Sequence, residues 1–301
     1  MPRNAYQQHL RIMKQKNMWR LGEILKMLEN QLQKCHVSTP RLDAEILVGH
    51  YVNRDRAALY RNGDYQLTEK ELQDLRTGAG RRIKGEPIAY ITGIKEFFSL
   101  EFEVTHHVLI PRPETEILIE EVLKLTENET LPRGNVLEVG TGNGAISIAL
   151  ATKLSQMNFF AIDISQEALS IAKRNARKHD VDERIFFFCG NLFEPISEQF
   201  DIIVSNPPYI SEEEYKHISP EIRDYEPRDA LIAGPDGTEF HQKLITNSDT
   251  YLRKGGWLVM EMGYGQWKTV ERLLRESQKY DYIGFQYDYA GIERVAKARR
   301  R

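Results

Sequence analysis

Asn135-Val-Leu-Glu138-Val-Gly140-Thr141-Gly142-Asn143-Gly144-Ala145 reads as a β-strand that runs into a glycine turn opening a helix. Backbone without Cβ atoms lets a ligand approach closely, and the amides at the start of the following helix point toward it. Gly140, Gly142 and Ala145 also satisfy the dinucleotide pattern GxGxxG/A, so the stretch selects a nucleotide-type fold without selecting the ligand. A tight turn that binds nothing would use the same glycines.

Downstream, the chain alternates. The pattern predicts a helix over 145–154, a strand over 159–162, a helix over 166–178, and strands over 185–188 and 202–204. A polar stretch runs from Tyr209 to Asp236-Gly237, long enough to be functional. A helix over 238–252, a strand over 257–262, a helix over 267–274 and strands over 283–289 and 293–296 follow. This is the pattern of an α/β, Rossmann-like, doubly wound and mostly parallel seven-stranded sheet.

Upstream the periodicity is helical. Leu21, Ile24, Leu25 and Leu32, then Leu42, Ile46, Leu47 and Tyr51, recur at three and four. Thr39-Pro40 and Thr68 mark helix starts, and Asn62-Gly63 a turn. Between Glu86 and Pro113 two extended pieces, Pro87–Ile91 and Leu100–Val104, predict a hairpin linker. The expected organisation is a helical N-terminal domain over 1–85, the linker over 86–112 and a catalytic domain over 113–301. Arg3, Arg11, Lys14, Lys16 and Arg20 precede the first acidic residue, Glu23. A frayed helix, a targeting segment and a contact arm all fit that stretch.

Composition removes several classes. Hydrophobic residues at 41%, charged residues at 28% and no apolar run near the ~20 residues of a membrane span predict a soluble protein with no membrane partner. Cys35 and Cys189 have neither CxxC spacing nor a secretory signal before them, which points to a reducing cytoplasm. The eight histidines show no metal-ligand spacing, and no metal is expected. With 41 basic against 44 acidic residues the net charge is −3, which argues against a stable nucleic-acid partner. A monomer is expected.

Asp163 closes the second predicted strand, where a carboxylate can accept both ribose hydroxyls of an adenosine. A helix N-cap is the other use of an aspartate there, and Ser165 suits that role better. Asn191 and Leu192 end the third strand, beside where an adenine would lie. Asn206-Pro207-Pro208-Tyr209 follows the apolar strand Ile202–Ser205 and, in a doubly wound sheet, faces the same crevice as the glycine turn. A planar NH2 group offers two hydrogens, which the Asn206 side-chain oxygen and the Pro207 carbonyl can accept while Tyr209 stacks on its flat face. Such an arrangement needs no histidine base and no metal, only positioning and electrostatic stabilisation. Phe97 and Phe98 suit packing, and His106-His107 a solvated loop.

These residues resemble the HemK/PrmC family of protein-(glutamine-N5) methyltransferases from about Trp19 to Arg301. The resemblance rests on Arg41–Glu45, Arg82–Tyr90, Ile110-Pro-Arg-Pro-Glu-Thr-Glu116, the glycine turn, Asp163, Asn206–Tyr209 and Tyr225–Leu231. It implies an N-terminal domain that recognises class I peptide chain release factors and a catalytic domain that methylates the glutamine of their Gly-Gly-Gln motif, with S-adenosyl-L-methionine as donor and S-adenosyl-L-homocysteine as product. It assigns Gly140, Thr141, Gly142, Asn143, Gly144, Asp163, Asn191, Leu192 and Asn206 to the cofactor, and Asn206, Pro207, Pro208 and Tyr209 to the substrate. Glu138 stands where the family often has aspartate. The run Pro111–Glu116 looks different in the sister enzymes that act on a ribosomal protein. A DNA adenine-N6 methyltransferase would hold a flipped base with the same Asn-Pro-Pro-Tyr, but no large recognition domain or basic stretch follows it. A nicotinamide-dependent oxidoreductase leaves Asn206–Tyr209 without a role, and a binding-only adaptor leaves the acceptor pair without one.

Overall fold

A computed structural model of the chain describes residues 19–128 and 134–301. The basic segment at the N-terminus, apart from Arg20, lies outside them. Two compact units result. The first ends at Gly93 and also takes in Pro220–Tyr225, while the second comprises Ile94–Ser219 and Glu226–Arg301.

The first unit is helical: α1 (Leu21–Lys34), α2 (Pro40–Val52), α3 (Arg56–Arg61), α4 (Glu69–Ile83) and α5 (Ile88–Thr92). Leu21, Ile24, Leu28 and Leu32 of α1 bury one stripe against Leu47 and Val48 of α2 and Leu75 and Ala79 of α4. Thr68 starts α4 with a capping box, accepting from Glu71 N at 3.2 Å while the Glu71 side chain takes Thr68 N at 2.7 Å. Such a cap contributes about 1 kcal/mol. Inside the unit Arg82 is 4% exposed and is held by Asp43 at 2.6 Å, the Glu86 carbonyl at 3.0 Å and Glu221 at 3.1 Å. Removing one partner of so buried a pair costs more than the pair itself contributes.

The expectation of an extended piece over Pro87–Ile91 is corrected. Pro87 stands at the N-cap of α5, where its missing N–H is no loss, and Ala89, Tyr90 and Ile91 are buried. Gly93, at φ 76°, ends the helix in the left-handed conformation that glycine allows. The hairpin starts only after it, with β1 (Ile94–Phe97) antiparallel to β2 (Leu100–Glu103). It belongs to the second unit: Phe97 and Phe102 join that core, and Glu103 N donates to Asn175 Oδ1 at 2.7 Å. Phe98 and Ser99 at its tip have φ of 51° and 59°, strained for residues other than glycine, and Phe98 N donates to Glu116 Oε1 at 2.9 Å.

The second unit continues with α6 (Glu116–Asn128), β3 (Gly134–Val139), α7 (Ala145–Lys153), β4 (Met157–Asp163), α8 (Gln166–Lys178), β5 (Ile185–Cys189) and β6 (Phe200–Ser205). Short helices α9 (Glu212–Tyr215) and α10 (Pro220–Arg223) precede α11 (Glu239–Tyr251), β7 (Leu252–Glu261), α12 (Trp267–Ser277), β8 (Tyr280–Tyr287) and β9 (Glu293–Arg300). Of these, α10 lies in the part assigned to the first unit. The seven strands run in the order β5-β4-β3-β6-β7-β9-β8. The first five are parallel, and β9 is antiparallel to both its neighbours. Successive residues of the central strands alternate between two cores: Val136, Ile202 and Val259 face α6 and α7, whereas Leu137, Ile203 and Leu258 face α11 and α12. The strand order reverses between β3 and β6, which places the crevice at their carboxyl ends. No helix among the described residues is long and apolar enough to cross a membrane.

Candidate active site

The glycine turn after β3 is tied to the end of β4. Gly140 N and Thr141 N both donate to the Ile162 carbonyl at 2.9 Å, and Gly142 N donates to Asp163 Oδ2 at 2.7 Å. Gly140 and Gly142 have φ of 77° and 56°, and a Cβ at either would meet nothing within 4 Å, so both border open space. Gly144 has a different task. A Cβ there would lie 2.8 Å from Ile148 Cδ1 and 3.2 Å from Ala172 Cβ, so it permits close packing of the turn on α7 and α8.

Glu138 lies under the turn, 1% exposed. One of its oxygens, Oε2, accepts from Thr141 Oγ1 at 2.8 Å, from Ser147 N at 3.0 Å and from the Ser147 hydroxyl. Its other oxygen has no hydrogen-bond partner among the described residues. Burial pushes its pKa up to about 7 against the pull of these donors, with the nearby Asp163 charge adding to the rise. Burial likewise raises Asp163, opposed by the amides of Ser165, Gly142 and Ile164. Ser165 takes the N-cap of α8, accepting from Ala168 N at 3.1 Å. Asn143 is 3% exposed, and its Nδ2 has no hydrogen-bond partner among the described residues.

Strand β5 ends at Cys189, so Asn191 and Leu192 lie in the turn beyond it rather than at the strand end. Gly190 N donates to the Asp163 carbonyl at 3.1 Å, which joins that turn to β4. Leu192, at φ 52°, packs on the core that holds Val139 and Ile162. Asn191 is exposed, and its N–H goes to Glu194 at 3.2 Å.

Ser205, the last residue of β6, donates through Oγ to the Val139 carbonyl at 2.7 Å and so locks the start of Asn206–Tyr209 to the glycine-turn strand. Asn206 Nδ2 donates to Thr115 Oγ1 at 3.0 Å. With its NH2 engaged there, the Asn206 oxygen is turned away, and no donor among the described residues reaches it. Pro207 is buried, while Asn206, Pro208 and Tyr209 are half-buried. Tyr209 donates from its hydroxyl to Glu261 Oε1 at 3.2 Å, and its carbonyl accepts from Gln266 Nε2 at 2.8 Å. Burial beside the Glu261 charge raises the Tyr209 hydroxyl well above the ordinary tyrosine range. Glu261 is itself fully buried, and burial raises it to about 7 against the Thr115 hydroxyl, the Arg294 charge and Tyr209.

Three residues that hold the turn, Thr115, Glu261 and Gln266, escape a reading of the sequence, as does Glu226. Thr115 sits in the Pro111–Glu116 run, and Glu226 in Tyr225–Leu231. Those two stretches meet where Glu226 takes Arg112 at 2.5 Å and Ile110 N at 3.2 Å. A signal for Glu261 does exist in sequence, because a carboxylate closing the apolar run Trp257–Met262 is a buried charge in a strand pattern.

Comparison with known proteins extends along the chain. The family model of the PrmC N-terminal domain matches residues 23–93, and that of the methyltransferase small domain matches 113–222. The release factor glutamine methyltransferase of Geobacter sulfurreducens is 39% identical over 282 residues, covering 93% of this chain and 97% of its own length. That of Buchnera aphidicola is 40% identical over 274 residues, covering 90% and 96%. Among solved structures, the hMettl16 catalytic domain in complex with MAT2A 3'UTR hairpin 6 superposes with a TM-score of 0.55 at 18% identity, over 78% of this chain and 84% of that one, a likeness of fold. The likeness in sequence runs through both units at close to full length, and the chain belongs to the release factor glutamine methyltransferase family.

Proposed function

We propose that this protein transfers a methyl group from S-adenosyl-L-methionine to the side-chain amide nitrogen of the glutamine in the Gly-Gly-Gln motif of class I peptide chain release factors, modulating translation termination. The observation that carries this reading is the pose of Asn206, whose NH2 is spent on Thr115 and whose oxygen is left to accept. A glutamine amide brings two N–H donors to such a site. Asn206 Oδ1 takes one and the Pro207 carbonyl the other, with Pro207 and Pro208 fixing the backbone between them. Both acceptors stabilise the charge that grows on the nitrogen as it forms its new bond, and the proton it sheds leaves toward solvent. Tyr209 flanks the flat face of the amide.

When bound, the cofactor supplies a methyl group made electrophilic by a sulfonium. The residues present fit it: Gly140 and Gly142 border open space, and Asp163 sits across a 2.7 Å hydrogen bond from the turn. Gly140–Gly144, Asp163, Asn191, Leu192 and Asn206 would hold it, with Asp163 on the ribose hydroxyls. Residues 1–85 would dock the release factor. The protein would act as a cytoplasmic monomer without a membrane or stable nucleic-acid partner, in keeping with its net charge of −3. The test is mass spectrometry of a release factor after incubation with the enzyme and S-adenosyl-L-methionine, with DNA as a second substrate. One added methyl on the Gly-Gly-Gln glutamine is expected, and methylation of DNA alone would overturn the reading.

A further inference from the structure

We infer that Asn175 is a positioning residue for the cofactor: its side-chain amide holds the glycine turn in its binding shape and ties the β1–β2 hairpin to it. The inference rests on the reading of Gly140–Gly144 as the cofactor turn. Asn175 lies in α8, 0% exposed, and commits its whole amide to backbone from two distant segments. Its NH2 donates to the Asn143 carbonyl at 2.9 Å, 32 positions earlier, and to the Glu103 carbonyl at 3.1 Å, 72 positions earlier. Its Oδ1 accepts from Glu103 N at 2.7 Å. For the helix alone asparagine is a poor choice, since its propensity is low and an apolar residue would pack there without needing partners.

What the turn needs is a donor for its Asn143 carbonyl. Gly142 and Gly144, on either side, have φ of 56° and 84°, and glycine backbone moves between conformations at little cost. Amides that open α7 are aimed elsewhere: Ala145 N at Asn143 Oδ1, 3.3 Å away, Ser147 N at Glu138 Oε2, 3.0 Å away, and Ile148 N at the Gly144 carbonyl, 2.9 Å away. Asn143 is buried, so its carbonyl without a donor would turn to find one and carry the peptide plane between the two glycines with it. Asn175 supplies that donor from a packed helix. Glu103 in turn fixes the donor, because an amide bonded to both the N–H and the C=O of one residue cannot rotate without losing two bonds. Arg174 grips the same hairpin, 2.6 and 2.9 Å from the Glu103 carboxylate, and its other bonds go back to Ser170 in α8.

Calorimetry of S-adenosyl-L-homocysteine binding, hydrogen exchange of the Gly140–Gly144 amides and single-turnover methylation of a release factor test this in wild type, Asn175→Leu, Asn175→Ala, Arg174→Ala and Val181→Ala. Both Asn175 variants should bind S-adenosyl-L-homocysteine about tenfold more weakly, the scale of one net hydrogen bond, and their turn amides should exchange faster in the free protein. The rate at saturating cofactor should stay within about threefold of wild type, because the cost of ordering the turn is met on binding and not after it. Arg174→Ala loosens the hairpin alone, and Val181→Ala lowers the melting temperature by emptying a buried site beyond the end of α8, so both should bind as wild type does. Asn175 variants within about threefold of wild-type affinity overturn the inference. So does a Val181→Ala that loses as much affinity as they do, since the effect is then one of stability. Should Asn175→Leu not fold, Asn175→Ala decides on the same criteria. If wild type does not bind S-adenosyl-L-homocysteine, the reading of Gly140–Gly144 as a cofactor turn fails as well, whereas weak binding by Asp163→Ala beside unchanged binding by the Asn175 variants defeats only the role of Asn175.

Discussion

The turns that end β3 and β6 follow the carboxyl ends of neighbouring parallel strands and are built in opposite ways. The glycine turn is held by its own neighbourhood: the Ile162 carbonyl and Asp163 from the adjoining strand, and Glu138 from the strand that leads into it. It offers backbone and open space. The Asn206–Tyr209 turn offers side chains and is fixed from afar: Thr115, 91 positions earlier, holds the Asn206 amide, Glu261, 52 positions after Tyr209, its hydroxyl, and Gln266, 57 after it, its backbone carbonyl. A surface for holding a cofactor can be made from local conformation. Orienting the Asn206 amide and the Tyr209 ring takes tertiary structure.

Four measurements would break or sharpen that contrast. Asn206→Ala should have the largest effect, because it removes one acceptor and leaves a substrate N–H unpaired. Single-turnover methyl transfer should fall roughly 10²–10³-fold while cofactor affinity changes less. Near-normal turnover would mean other groups hold the amide.

The next effect is on stability and belongs to the glycine turn. Burial raises Glu138 to about 7 in the folded protein, above its unfolded value, so the folded state keeps a proton that the unfolded chain releases. Its contribution is fully present below the unfolded pKa and is lost as pH rises to about 7, worth up to about 3 kcal/mol. Urea denaturation of wild type and Glu138→Gln at pH 5 and pH 8 should show the variant gaining relative to wild type at the higher pH. Curves that stay parallel would place an ionised Glu138 in the fold throughout.

Asp163→Ala comes third. It removes an acceptor proposed for the ribose and the partner of Gly142 N, and should weaken S-adenosyl-L-methionine by roughly 1.5–3 kcal/mol, tenfold to a hundredfold. Unchanged binding by calorimetry would take Asp163 out of the site. Tyr209→Phe should be mildest, under about tenfold in turnover, since it keeps the ring and loses one hydroxyl bond to Glu261. Tyr209→Ala should exceed it clearly, and equal losses in the two would put the hydroxyl, not the ring, at the centre of the role.

The same contrast governs what could be read from the sequence. Val136–Val139, the glycine turn and the strand before Asn206 were legible because each is a local pattern of apolar residues and turn formers, and β3 and β6 lie where it predicts. Thr68 and Ser165 were legible as caps for the same reason. The five residues of α5 were not, since one helical turn over Ile88–Thr92 is too short for its period to differ from an extended apolar run. Nor were the supports of the turn: nothing near Thr115 or Glu261 in the chain indicates that they flank Asn206, which only the strand order β3-β6-β7 brings about.

The chain changes unit three times, after Gly93, after Ser219 and again after Tyr225. In the last two it leaves the sheet for six residues and returns, with Glu221 held by Arg82 and the Tyr225 hydroxyl by the Lys84 carbonyl at 3.1 Å. The units are therefore interlaced in sequence rather than strung end to end. A protease cut after Gly93 followed by loss of the helices would strand Pro220–Tyr225 without the partners it was folded against, eleven residues beyond Tyr209. A single join does not separate the two units, and an engineer wishing to swap the helical one must carry the six-residue insert along.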